Sequence, residues 1–205
     1  MLTKLQIINA MLQAVGDDPI TDPESMYPSA ISARTKLDEK DIEMQARGWW
    51  FNKDYDLTLV PSVDGEVRLP DTTLAIDLPN DLSTRYVQRG TRIYDKVGHT
   101  FKISESLRMN ILQRLPLDQL PTLALVYLKA KAVHSFYVDD DGDADKSGNY
   151  LRDVNIAWTD LERENLKQKR LNANMRPSVI GISIGIRPSA LTVGYNNPMY
   201  PGGKP

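Results

Sequence analysis

The chain of 205 residues contains no cysteine and only two histidines, His99 and His134. The first absence excludes a disulfide framework, a thiolate nucleophile and cysteine-ligated zinc; the second leaves little for a histidine-based metal site. Charge of one sign is lacking too: 25 Lys and Arg face 27 Asp and Glu, a net charge of -2. Nothing in bulk therefore pulls the chain toward nucleic acid or anionic lipid. No stretch approaches the ~20 apolar residues of a membrane span. Met1 to Gln6 lead into a polar-punctuated helical pattern rather than a continuous apolar run. The chain is expected to be soluble and made in the cytoplasm, with no membrane partner. Gly-x-Ser-x-Gly, phosphate-loop and dinucleotide fingerprints are missing, so neither a cofactor nor a catalytic or metal site is expected.

What is present is a change of pattern along the chain, which is long enough for a sizeable core. Leu2, Leu5, Ile8, Met11, Leu12 and Val15 recur at three- and four-residue steps, predicting a helix over residues 2 to 15 that stops at Gly16. Asp17-Asp18-Pro19 and Thr21-Asp22-Pro23 make a turn-rich connector. A second helix is predicted from near residues 25 to 29 to Arg47, with Ala30, Ala33, Leu37, Asp41 and Met44 on one side. Gly48 supplies the positive-φ residue that ends it.

From Phe51 to about Leu115 the pattern is that of short strands, broken by Pro61, Asp64-Gly65, Pro70 and Pro79. Trp49, Trp50 and Phe51 stand at the changeover, and three consecutive aromatics cannot share one face of a strand. They are expected to pack one layer onto another, a ligand-stacking platform being the alternative. Tyr86 to Asp95 reads as a hairpin turning near Gly90, with Lys96 to Ile103 as a further strand. Arg89 and Arg92 flank that turn, either as edge charges that discourage aggregation or as contacts to an anion or to nucleic acid. Residues 107 to 115 are a last strand.

Helical spacing returns at Pro121 with Leu123, Val126, Tyr127, Ala130, Val133, His134 and Tyr137. A fourth helix, ending at Asn172, carries Leu151, Val154, Trp158 and Leu161 on one face. The acidic run Asp139 to Asp145 between them lacks calcium-loop spacing, since Ala144 and Tyr150 occupy the glycine and glutamate positions. It is expected to cap the next helix. Residues 172 to 205 contain no Asp or Glu, three basic residues, five prolines and five glycines. Within them Ile180, Ile182, Ile184 and Ile186 alternate with Gly181, Ser183 and Gly185. Such a ribbon is expected to add to a sheet edge, its own or a partner's.

The fold class expected is α+β: an antiparallel bundle of about four helices (residues 1-50 and 117-172), an inserted antiparallel β domain (51-116) and an extended C-terminal arm (173-205). Several ordered features carry a family resemblance. They are Gly16 and Pro19; Ala33-Arg34 with Leu37; Arg47-Gly48-Trp49 with Phe51-Asn52; Leu57, Leu59, Pro61, Gly65 and Leu69-Pro70; and Tyr86-Val87, Arg89-Gly90 and Tyr94-Asp95. Over residues 2 to about 172 the chain resembles the tail tubular protein A family, the head-to-tail adaptors of short-tailed bacteriophages. One departure is Thr91, where family members tend to show a second glycine.

The resemblance implies a virion protein without turnover. It also implies assembly as a homo-oligomeric ring of twelve subunits between the portal protein and the tail nozzle protein, with double-stranded DNA passing through its channel. Arg89, Gly90 and Arg92 then form a nozzle-facing hairpin. Beyond the span of the resemblance, the composition of the arm makes Arg176, Val179, Ile180, Ile182, Ile184, Ile186 and Arg187 the residues expected to bind the portal or a neighbouring subunit. Two rival readings remain at this point. A tail-associated polysaccharide hydrolase would draw on Asp139 to Asp145, and a nucleic-acid-binding module would bind with steep salt dependence.

Overall fold

The computed structural model describes residues 2–140 and 143–174. Helix α1 spans Lys4–Val15. It begins at a capping box in which the Gln6 amide donates to Thr3 Oγ1 and the Thr3 amide donates to Gln6 Oε1. It ends at Gly16, where φ is +87°, a value costly to any residue with a Cβ. The connector then folds back on α1: Asn9 donates from Nδ2 to the Ile20 carbonyl and accepts the Ile20 amide. Helix α2, Pro28–Gln45, starts with a proline in its first turn and buries Ala30, Ala33, Leu37, Asp41 and Met44.

Strands β1 (Lys53–Leu59), β2 (Thr73–Asp77), β3 (Tyr86–Arg89), β4 (Arg92–Asp95) and β5 (Leu107–Gln113) follow, with the one-turn helix α3 (Asn80–Ser83) after β2. They make an antiparallel sheet in the order β1-β5-β2 and the two-stranded hairpin β3-β4. The β1–β5 ladder shifts register between Asp54 and Leu57, where Asp56 has φ of +66°, as in a bulge. A 3₁₀ turn at Leu117–Gln119 leads into α4 (Thr122–Asp140), and α5 runs over Ala144–Asn174.

Apolar side chains gather in two clusters. The helical one includes Ile7, Ile8, Met11, Leu37, Met44, Trp49, Leu125, Leu128, Phe136 and Leu161. The β one contains Val67, Leu69, Tyr86, Ile93, Ile103, Leu107, Met109 and Ile111. Both lie in one compact unit, Met1–Leu166.

Two local expectations need correction. Lys96 to Ile103 do not form a strand; only Thr100 and Lys102 make isolated bridges. The cause is Asp95, whose Oδ1 accepts the Val97 and Gly98 amides and folds the chain into a tight turn. The strand pattern also begins at Lys53, not Phe51. Trp49 to Asn52 form the turn between α2 and β1, so the alternation argument does not apply to these aromatics.

Candidate functional site

The turn between α2 and β1 is held by an unusually complete set of polar contacts. Asn52, 2% exposed, accepts the Trp49 amide and donates to the carbonyls of Gln45 and Gln113. Trp49 Nε1 donates to the Met44 carbonyl at 2.7 Å. Gln45 donates to the Leu115 carbonyl and to Asp41 Oδ1, and accepts the Leu115 amide. Asp41 Oδ2 lies 2.9 Å from Arg114. Buried polar groups are costly when unpaired, and here each finds partners. The network joins the end of α2 to the exit of β5.

Trp49 is buried in the helical cluster, and Trp50 and Phe51 pack against it. Trp49 meets Trp158 edge to face at 5.3 Å, and the Arg47 guanidinium lies 4.7 Å from the Trp158 ring centroid. No motif in the sequence marks Asp41, Gln45 and Arg114 as one site. A signal did exist for Asp41, since it is the one charged residue in the otherwise apolar stripe of α2.

The hairpin turns at Gly90-Thr91, with Arg89 and Arg92 directly paired across it. Only Gly90 has positive φ, +59°, the requirement of a two-residue turn with glycine at its first central position. Thr91 therefore needs no special backbone freedom. Both guanidiniums lie over aromatic rings. The Arg89 guanidinium sits 3.6 Å from the Tyr94 ring centroid, and that of Arg92 sits 4.1 Å from Phe101. Arg92 also pairs with Glu66 at 2.7 Å. Beneath the hairpin, Asp95 receives Arg85 at 2.8 Å. That guanidinium, with the Gly98 amide second, lowers the Asp95 carboxyl to about 2. Burial, with the bond to Glu105 second, raises the Tyr86 hydroxyl to about 12.

On the helices, a groove of about 550 Å³ is lined by Ala10 and Ala14 of α1, Val126 and Ala130 of α4, and Ile156 and Ala157 of α5, with Lys129, Asp153 and Asp160 also in its lining. At the start of α2, Met26 and Tyr27 protrude with 81% and 70% exposure. The acidic run has structural partners: Asp139 pairs with Lys36 at 2.7 Å, and Asp143 accepts the Asp145 and Lys146 amides at the start of α5. His134 lies 3.4 Å from Ser147 Oγ. Arg176, Val179, Ile180, Ile182, Ile184, Ile186 and Arg187 lie outside the described residues. No helix among the described residues is long and apolar enough to cross a membrane.

Residues 5–175 match the family described as tail tubular protein. The chain is also similar to tail tubular protein A of Klebsiella phage KP34, with 25% identity over 174 residues, which cover 84% of this chain and 92% of that protein.

Proposed function

The chain belongs to the tail tubular protein family, structural components of the phage tail rather than enzymes, and from that membership we propose that it is a head-to-tail adaptor of the virion. In this reading twelve copies form a ring between portal and nozzle. The helices α1, α2, α4 and α5 are the ring body, residues 51-116 are the inserted β part that faces the nozzle through Arg89, Gly90 and Arg92, and residues 173-205 are an arm that reaches the portal or a neighbour. Double-stranded DNA passes through the channel.

The observation that supports the ring is a pair of unlike surfaces on one chain, an apolar protrusion and a groove of mixed lining. Met26 and Tyr27 protrude ahead of α2, whereas the groove is lined by Ala10, Gln13 and Ala14 of α1 together with residues of α4 and α5, and the two patches share no residue. A contact between two different patches is heterologous, and repeated heterologous contacts close into rings when the rotation permits. The near-neutral chain fits transit of DNA, because many phosphate contacts would hold the duplex instead of releasing it.

Electron microscopy of the purified chain, alone and with its portal, tests the reading. Twelve-fold rings that stack on the portal are expected, and a chain that stays monomeric with the portal present would overturn it. Truncation after Arg176 is expected to leave a folded subunit that no longer joins the portal. Normal docking by the truncated chain would remove the arm from the account.

A further inference from the structure

The outer face of the hairpin carries three arginines side by side. Arg92 is directly opposite Arg89 in the β3–β4 ladder and directly opposite Arg68 in an isolated bridge. Directly opposed residues of an antiparallel pair project from the same face. That face is the outer one, because Val67, Leu69 and Ile93, the sequence neighbours of Arg68 and Arg92, are buried beneath it. Adjacent strands are ~4.8 Å apart, so the three backbone positions from which these side chains rise span roughly 10 Å.

Like charges placed directly opposite one another destabilise a sheet. One carboxylate offsets them: Glu66 gives one oxygen to Arg92 at 2.7 Å and the other to Arg68 at 3.1 Å. Arg89 has no carboxylate partner among the described residues, and Arg68 and Arg92 remain 64% and 42% exposed. Two of the guanidiniums lie over rings, Arg89 on Tyr94 and Arg92 on Phe101, and those rings meet edge to face at 5.0 Å. Stacking fixes the plane of a guanidinium and leaves its N–H edge free to donate. A row of this kind contributes little to folding. It is suited to receiving acceptors that bind in bidentate fashion.

We infer that this arginine row is a docking surface for a carboxylate-rich face of another protein of the tail, an inference that rests on the nozzle-facing reading of the hairpin. A protein surface fits better than a duplex. The row is short and single, whereas tight duplex binding draws on some 6–10 phosphate contacts. Exposed arginine beside aromatic rings is also the composition of protein–protein interfaces.

The test uses the full chain with two labelled probes, a decaglutamate peptide and a twenty-base-pair DNA duplex, followed by fluorescence anisotropy at low and moderate salt. The peptide is expected to bind more tightly than the duplex. Arg89→Gln and Arg68→Gln are each expected to weaken peptide binding by about threefold or more, the scale of one exposed charge pair. Glu66→Gln, which removes the competing carboxylate, is expected to tighten it. The Arg68 pair is exposed, so Arg68→Gln is also expected to melt close to the parent. Absence of peptide binding, indifference to the arginine substitutions, or a duplex bound more tightly than the peptide would overturn the inference. Micrographs of the same variants separate this result from the ring: rings without peptide binding refute the arginine surface alone, and monomers that bind peptide refute the ring alone.

Discussion

Gln45 grips the backbone of Leu115 with both ends of its amide, donating to the carbonyl at 2.8 Å and accepting the amide N–H at 2.7 Å. A side chain on a helix here imitates a strand neighbour for a segment that has just left β5. The pairing satisfies two backbone groups for which neither α2 nor the sheet supplies a partner. Gln45 is fully buried and its two bonds to Leu115 are partly so, which limits the access of water to them.

Replacing Gln45 by leucine keeps much of the volume and removes both bonds, along with the one to Asp41. The penalty for buried unsatisfied groups is about 1–3 kcal/mol each, so a loss of roughly 2–4 kcal/mol is expected. Urea denaturation followed by tryptophan fluorescence measures it, with Trp49 reporting from the same turn. An unchanged midpoint would show that the seam is not held by this residue.

Asp95 makes stability depend on acid. Its carboxyl titrates at about 2 in the folded chain against an ordinary value of 3.8, chiefly because Arg85 bonds to it and secondarily because the Gly98 amide does. The folded state thus favours the ionised form. The contribution is complete above the unfolded value and is lost as pH falls through the window from about 3.8 to about 2. In Asp95→Asn that segment of the pH–stability curve is expected to flatten. Thermal melts between pH 2 and 5 check it.

Tyr86 acts at the other end of the scale. Its hydroxyl is pushed up to about 12 from an ordinary 10, first by burial and then by the 2.5 Å bond it donates to Glu105. The folded state favours the neutral phenol, so the unfolded chain ionises first as pH rises. The Tyr86 contribution is complete below pH 10 and is lost between about 10 and about 12. Tyr86→Phe is expected to lose the bond and to remove this tyrosine's share of the alkaline decline. An unaltered alkaline limb in the variant would assign the decline to other groups.

Much of the local structure was legible because it rests on short-range rules. The apolar spacing of Ile8, Met11, Leu12 and Val15 and the glycine at position 16 mark α1, and Gly90 marks the hairpin turn. The seam was not legible, because Gln45 and Leu115 are 70 positions apart and nothing in either residue type announces the other. Asp95 misled for a related reason. Its carboxylate converts residues 96 to 99 into a turn by local hydrogen bonds that compete with strand pairing, and hydropathy alternation does not register such bonds. The arginine row was half visible: Arg89 and Arg92 stood out, but Arg68 joins them only through the pairing of a segment more than twenty residues earlier.

Gly98 offers a sharper test of the Asp95 turn than Asp95 itself. Its backbone does not need positive φ, yet a Cβ built there would meet Asp95 Oδ2 at 2.9 Å. That oxygen is the one that accepts Arg85, so the added methyl must displace the carboxylate from its guanidinium. At Gly90 the situation is reversed, with no atom within 4 Å of an added Cβ but φ at +59°. Gly90→Ala is therefore expected to cost about 1 kcal/mol from backbone strain alone, whatever the residue at position 95. Gly98→Ala is expected to act only through Asp95. In a double-mutant cycle, Gly98→Ala in the Asp95→Ala background should add little further destabilisation, whereas Gly90→Ala should add its full cost. Additive effects for Gly98→Ala would mean that the methyl is rejected by something other than the carboxylate, and the turn would then not be organised by Asp95.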